Sequence, residues 1–139
     1  NSSDREILDL IGYENVSGYA PSITLLQLAE IANKYYGLSS SRIETNISID
    51  RIKNELAQGR PIIVPAAGKI LPNPNFRNGG PVYHMLVIIG YENGEFITND
   101  PGTRKGQGFR YKYDDLINAI RDWDPNNILN GQKQYLVFD

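Results

Sequence analysis

The sequence predicts an α+β fold, with N-terminal helices packed on a C-terminal antiparallel β-sheet. Three observations carry that expectation. Apolar residues recur at three- and four-residue intervals through roughly the first sixty positions. The period then shortens to two, or to apolar runs bounded by proline and glycine. Between two of those runs lies Asn93-Gly94, a strong hairpin signal. Helices first and strands afterwards is an α+β order rather than an alternating one.

Ser3 and Glu6 have the spacing of a capping box, so a helix is expected to begin there, with Ile7, Leu8, Leu10 and Ile11 as its apolar face up to Gly12. A chain that opens at a helix cap, on Asn rather than Met, reads as a processed or trimmed fragment; a naturally short N-terminus is the other reading. Gly12 to Pro21 is rich in turn residues. From Ile23 to Tyr36 the residues Leu25, Leu28, Ala29, Ala32, Tyr35 and Tyr36 keep helical spacing, with Ser22 as the cap and Gly37 as a left-handed stop. Arg42 to Ile47 is open between a loop and a short edge strand. A third helix is expected over about Asp50 to Gln58, with Ile49, Ile52 and Leu56 on one face, Arg51 and Glu55 four apart, and Gly59 and Pro61 ending it.

In the second half, Ile62, Ile63 and Val64 form a strand bounded by Pro61 and Pro65. Gly68 to Pro81 carries Ile70, Leu71 and Phe76 among prolines, glycines and asparagines, and reads as a flap over a groove. His84 to Tyr91 is apolar on both faces, as a central strand should be, and Glu95 to Asp100 pairs back on it. Phe109 to Tyr113 is a further strand. Asp114 to Trp123 is an amphipathic helix with Leu116, Ile117 and Ile120 inward, and Gln134 to Phe138 closes the sheet.

Composition narrows the chemistry. The 139 residues carry 14 basic and 16 acidic side chains for a net charge of −2, which suits one ordinary domain over 1–139 and offers no broad phosphate-binding surface, so nucleic acid is not an expected partner. No apolar stretch approaches the roughly 20 residues that span a bilayer, so direct membrane insertion is not expected. With no cysteine and one histidine, disulfides, thiolate or histidine-rich metal sites and a thiol nucleophile are absent from these residues, and neither metal nor cofactor is expected. Arg104 and Lys105 beside Gly106 lack a phosphate-loop pattern, and Asp122 and Asp124 lack the spacing of a calcium loop. The oligomeric state is not legible.

What remains is His84, which opens the central strand and carries the one side chain whose ordinary pKa, roughly 6.5, suits proton transfer near neutrality. It needs an orienting partner, and the returning strand ends in Asn99-Asp100. Register decides between them. A two-residue Asn93-Gly94 turn pairs Glu92 with Glu95 and puts Asn99 on the His84 face. A three-residue loop pairs Tyr91 with Glu95, sets Leu86 opposite Asp100, and makes His84 and Asp100 diagonal neighbours about 7–8 Å apart at the backbone. A purely structural histidine completing a hydrogen-bond network is the plain alternative.

The run HMLVIIGYENGEFITNDPGT, His84 to Thr103, resembles the His and Asp motif of the bacteriocin-processing-peptidase-like cysteine peptidases, relatives of the double-glycine leader peptidases in the papain-like superfamily. ELAQGRPIIVP (Glu55 to Pro65) is similar to their Gly-x-Pro entry into the first sheet strand, and GFRYKYDDLINAI (Gly108 to Ile120) to the strand and helix after the Asp-Pro. The resemblance implies a papain-like fold in which His84 acts as general base and then acid and Asp100 orients it, while the register of the tight turn keeps Asn99 as the alternative orienter. It places the nucleophilic Cys, and an oxyanion-hole Gln just before it, on a helix preceding Asn1, so the chain as written is expected to be inactive. Ser2, Ser3, Ser17 and Ser22 precede His84 in the right order for a stand-in, but Ser3 and Ser22 are explained as caps and Ser2 flanks one. Among the nine tyrosines, Tyr83 and Tyr19 are the groove candidates for contact with a peptide or protein substrate. A noncatalytic peptide-binding domain is the competing reading, since relatives that dock substrates on secretion transporters lack the Cys. An exported bacterial protein is expected on the resemblance alone.

Overall fold

Six antiparallel strands form one sheet in a computed structural model that describes residues 23–100 and 105–139. The strands are β1 (Ser41–Glu44), β2 (Ile62–Ala67), β3 (Tyr83–Glu92), β4 (Glu95–Asn99), β5 (Gln107–Lys112) and β6 (Tyr135–Phe138), ordered β1-β6-β2-β3-β4-β5 across the sheet. Helices α1 (Leu25–Tyr36), α2 (Ile49–Ala57) and α3 (Tyr113–Ala119) and short 3-10 turns at Gly68–Ile70, Arg77–Gly79 and Ile128–Asn130 complete the described elements. The α+β expectation holds. The helix expected near Ser3, with its capping box, lies outside the described residues.

Local chemistry explains where the elements begin and stop. Thr24, not Ser22, caps α1: its hydroxyl accepts from the Gln27 N–H at 3.1 Å, and the Gln27 side chain accepts from the Thr24 N–H at 2.8 Å. The reciprocal box needs Gln or Glu three residues on, and Leu25 could not supply it to Ser22. Gly37 ends the helix at φ 69°, with the Leu38 N–H reaching the Ala32 carbonyl. The apolar face closes at Ala32, and Tyr35 and Tyr36 are exposed. Ser48 caps α2. The segment left open around Arg42 is the edge strand β1, paired to β6.

Two boundaries differ from expectation for one shared reason. β2 runs through Pro65 to Ala67, and α3 stops at Ala119 rather than Trp123. The Pro65 carbonyl points away from β3 and accepts from the Arg121 N–H at 3.0 Å, while Ala66 and Ile120 form an isolated bridge. The missing Pro65 N–H therefore costs β3 no ladder bond, and at the same bridge Ile120 leaves the helix for extended backbone.

The sheet is covered on both faces, which is why β2 and the first half of β3 are apolar without alternation. Ile62, Val64, Leu86, Ile88 and Phe96 pack on one side with Ile52 of α2 and Leu116 of α3. Ile63, Met85, Val87 and Leu136 pack on the other with Leu25, Leu28 and Ala32 of α1.

The hairpin between β3 and β4 sets the geometry of the site. Its turn is the two-residue form: Asn93 and Gly94 sit at φ 51° and 81°, and Glu92 pairs with Glu95. The register then shifts, so that Gly90 pairs with Ile97 but Ile88 pairs with Thr98, leaving Ile89 as an extra residue in β3. From Ile88 backwards the pairing is the one a three-residue loop would have produced. A tight turn plus one bulged residue has the same residue count as the longer loop.

Candidate active site

His84 is the second residue of β3 and stands opposite Ala66 of β2, on the face that carries Leu86 and Ile88. Without the bulge at Ile89, the tight turn would have set Asn99 on that face. With it, Phe96 and Thr98 of β4, and Asp100 just after it, face the same side. His84 Nε2 and Asp100 Oδ2 are hydrogen-bonded, with the residues 6% and 3% exposed. Asp100 lies just past the end of β4, and its N–H donates to the Gly106 carbonyl at 3.0 Å, which holds the backbone there. Thr98, one residue pair earlier, donates its hydroxyl to the Phe109 carbonyl at 2.7 Å. An imidazole paired to a buried carboxylate has one defined tautomer and one defined ring plane, the arrangement that proton transfer requires.

The flap lies against this pair. Phe76 sets its ring edge-on to the His84 imidazole, with centroids 5.2 Å apart. Close backbone approach at the two ends of the flap permits this: a Cβ on Gly68 would meet the Pro81 carbonyl oxygen at 2.3 Å. One on Gly80, at φ 97°, would meet both the Gly68 oxygen and the Phe76 ring at 2.6 Å. Only glycine fits either position. Asn73, next to Pro74 in the flap, donates to the Tyr111 hydroxyl at 2.9 Å. Neither Asn73 nor Tyr111 was singled out by sequence; the Asn-Pro step signals a turn but not its anchor.

The other sequence candidates fall elsewhere. Asn99 faces away from His84, and its side-chain oxygen accepts from the Gly108 N–H at 2.9 Å. Gly108, at φ 72°, is the extra residue where β4 and β5 shift register, so Asn99 satisfies a donor that the ladder leaves over. Tyr83 does not line a groove. It is 2% exposed on the opposite face, stacked edge-on to Trp123, with its hydroxyl donating to Asp122. Burial, with the Asp122 charge beside it, pushes that hydroxyl far above the ordinary tyrosine range. Asp122 itself accepts from Tyr83, Gln134 and the Leu25 and Trp123 N–H groups, so it ties α1 to the sheet. Tyr19, Ser2, Ser3, Ser17, Ser22 and Arg104 lie outside the described residues. A cleft of about 300 Å³ lined by Leu56, Arg60, Pro61, Val87, Ile89 and Asn99 contains neither His84 nor Asp100. Of its polar groups, Arg60 donates to Glu55 and Asn99 accepts from the Gly108 N–H.

The Peptidase_C39 like family model matches residues 6–130. The chain belongs to that family. The C39-like domain is also similar to the crystal structure of a candidate C39-like peptidase from Bacillus anthracis, at 17% identity and a TM-score of 0.59. That match covers 84% of this chain and 59% of the other, so these 139 residues span less than two thirds of the neighbour's length. At that identity the likeness concerns the fold, and it agrees with the papain-like architecture expected from sequence. No curated protein matches the chain.

Proposed function

We propose that residues 1–139 are the greater part of one cysteine-type peptidase domain, of the bacteriocin-processing-peptidase kind, in which His84 is the acid–base residue and Asp100 orients it. The observation that carries the reading is the buried hydrogen bond between His84 Nε2 and Asp100. Family membership supports a peptide or protein as the substrate class. These residues contain no cysteine, so the thiol would be contributed by residues outside this sequence.

With Nε2 held by Asp100, proton traffic runs through Nδ1. His84 takes the thiol proton, and the thiolate sulfur attacks the peptide carbonyl carbon to give a tetrahedral oxyanion. Collapse breaks the C–N bond, and the imidazolium returns its proton to the leaving amine. Water then adds to the thioester with His84 again as base, releasing the acid and restoring the thiol. Asp100 holds the ring through Nε2 in each step and stabilises the imidazolium.

The test is peptide hydrolysis by the protein with its native upstream residues, compared with His84→Ala. Hydrolysis that disappears in the variant, with peptide binding retained, supports the proposal. Hydrolysis that persists in His84→Ala overturns it. Peptide binding with no hydrolysis by either protein favours a noncatalytic recognition domain.

A further inference from the structure

The flap from Gly68 to Val82 touches the site face of the sheet twice, and the two contacts are three residues apart. Asn73 Nδ2 donates to the Tyr111 hydroxyl on β5, with both side chains buried. Phe76 meets the His84 ring on β3. Between these contacts the backbone is clamped: the Asn75 N–H donates to Asn73 Oδ1 at 2.8 Å, and the Phe76 N–H donates to the Asn73 carbonyl at 3.2 Å. Where Asn73 is held, Phe76 follows. Tyr111 stands opposite Phe96 of β4, on the face that also carries Thr98 and Asp100. One flap therefore bridges a β5 residue on the site face and the imidazole that the carboxylate binds.

We infer that Asn73 and Tyr111 are positioning residues for the His84–Asp100 pair: their hydrogen bond latches the flap so that Phe76 covers the imidazole and shields its bond to Asp100 from water. The functional meaning rests on the peptidase reading of that pair, while the latch itself is a property of the fold. A hydrogen bond kept from water is stronger and better directed than an exposed one, so loss of the cover loosens the ring. The latch is also sensitive to truncation at either end, because each partner removed leaves the other buried and unsatisfied. Burial pushes the Tyr111 hydroxyl up to about 12, with Asn73 opposing the rise and the Asp100 charge adding to it.

The experiment follows the His84 Nε2 proton by NMR in the protein with its native upstream residues, with His84→Ala assigning the signal. Tyr111→Phe keeps the ring and removes only the hydroxyl. The expected result is exchange of the Nε2 proton with water at least about fivefold faster, together with loss of amide protection between residues 71 and 78. Should that variant not fold, Asn73→Ser carries the same comparison. Phe76→Leu separates positioning from simple support: it should speed Nε2 exchange while amide protection of the flap is retained. Unchanged Nε2 exchange in Tyr111→Phe or Asn73→Ser overturns the latch and leaves the peptidase reading standing. Faster exchange in a protein whose hydrolysis does not depend on His84 supports the latch and removes its catalytic meaning.

Discussion

A carboxylate that accepts from His84 Nε2 requires the proton to sit on that nitrogen, leaving Nδ1 unprotonated in the neutral ring. Nitrogen chemical shifts of His84 should report the Nε2–H tautomer, and Asp100→Asn should disturb it, because an amide can donate to Nε2 instead. In the protein that carries its thiol, that substitution is expected to lower kcat by on the order of 10³, with KM changed much less. Asn99→Ala is the contrasting case. It should leave hydrolysis unchanged and cost about 0.5–1 kcal/mol of stability in a denaturant titration, because the Gly108 N–H loses its acceptor. That His84 would meet a partner from the end of the returning strand was legible in the sequence, because a hairpin brings the two strand ends together. The choice between Asp100 and Asn99 was not legible, because a bulge one residue long exchanges the two faces and has no strong signature at Ile89. Tyr83 misled for a related reason. Adjacency to His84 in a strand places a residue on the opposite face.

At the scale of elements, the hairpin shows how a correct turn and a correct pairing can both hold while the route between them is missed. Asn93-Gly94 encodes the tight turn, and the residue count between turn and histidine encodes the pairing. The flap was legible as a loop with apolar content, but its anchoring through Gly68, Asn73 and Gly80 depends on contacts distant in sequence. Gly80→Ala tests that anchoring. A Cβ there combines a left-handed backbone with 2.6 Å approaches to the Gly68 oxygen and the Phe76 ring. A stability loss of about 1–3 kcal/mol is expected in thermal or denaturant unfolding, together with faster amide exchange across the flap. Gly90→Ala is the control, because a Cβ at that position meets nothing closer than Ile97 at 3.6 Å. α2 corrects a local expectation in the same way. Arg51 reaches Glu44 at 2.8 Å instead of Glu55, which turns inward.

Across the whole molecule, Glu55 is the charge that ties separate parts of the chain together. Its carboxylate accepts from Arg60 at 2.7 Å, Arg42 at 3.2 Å and the Tyr135 hydroxyl at 2.9 Å, joining α2, β1, β6 and the loop before β2. Burial works against the charge, but those three donors outweigh it and hold the carboxyl below its ordinary value of 4.5. A carboxyl whose folded pKa lies below its unfolded one stabilises the fold fully above the unfolded value and loses that contribution as pH falls through the folded one. Stability should therefore decline below about pH 4.5 with a Glu55-dependent slope that Glu55→Gln flattens, while costing about 1–3 kcal/mol near neutrality. The α+β order and the doubly covered sheet were legible because periodicity and apolar runs report burial directly. The Glu55–Tyr135 bond joins positions 80 residues apart, and no local pattern announces it. The proton relay proposed for His84 is tested most directly by the pH profile of thiol alkylation in the protein with its native upstream residues. Paired to His84, the thiol should react with iodoacetamide well below the ordinary cysteine range, and His84→Ala should abolish that low-pH reactivity. Identical profiles in the two proteins would contradict the account.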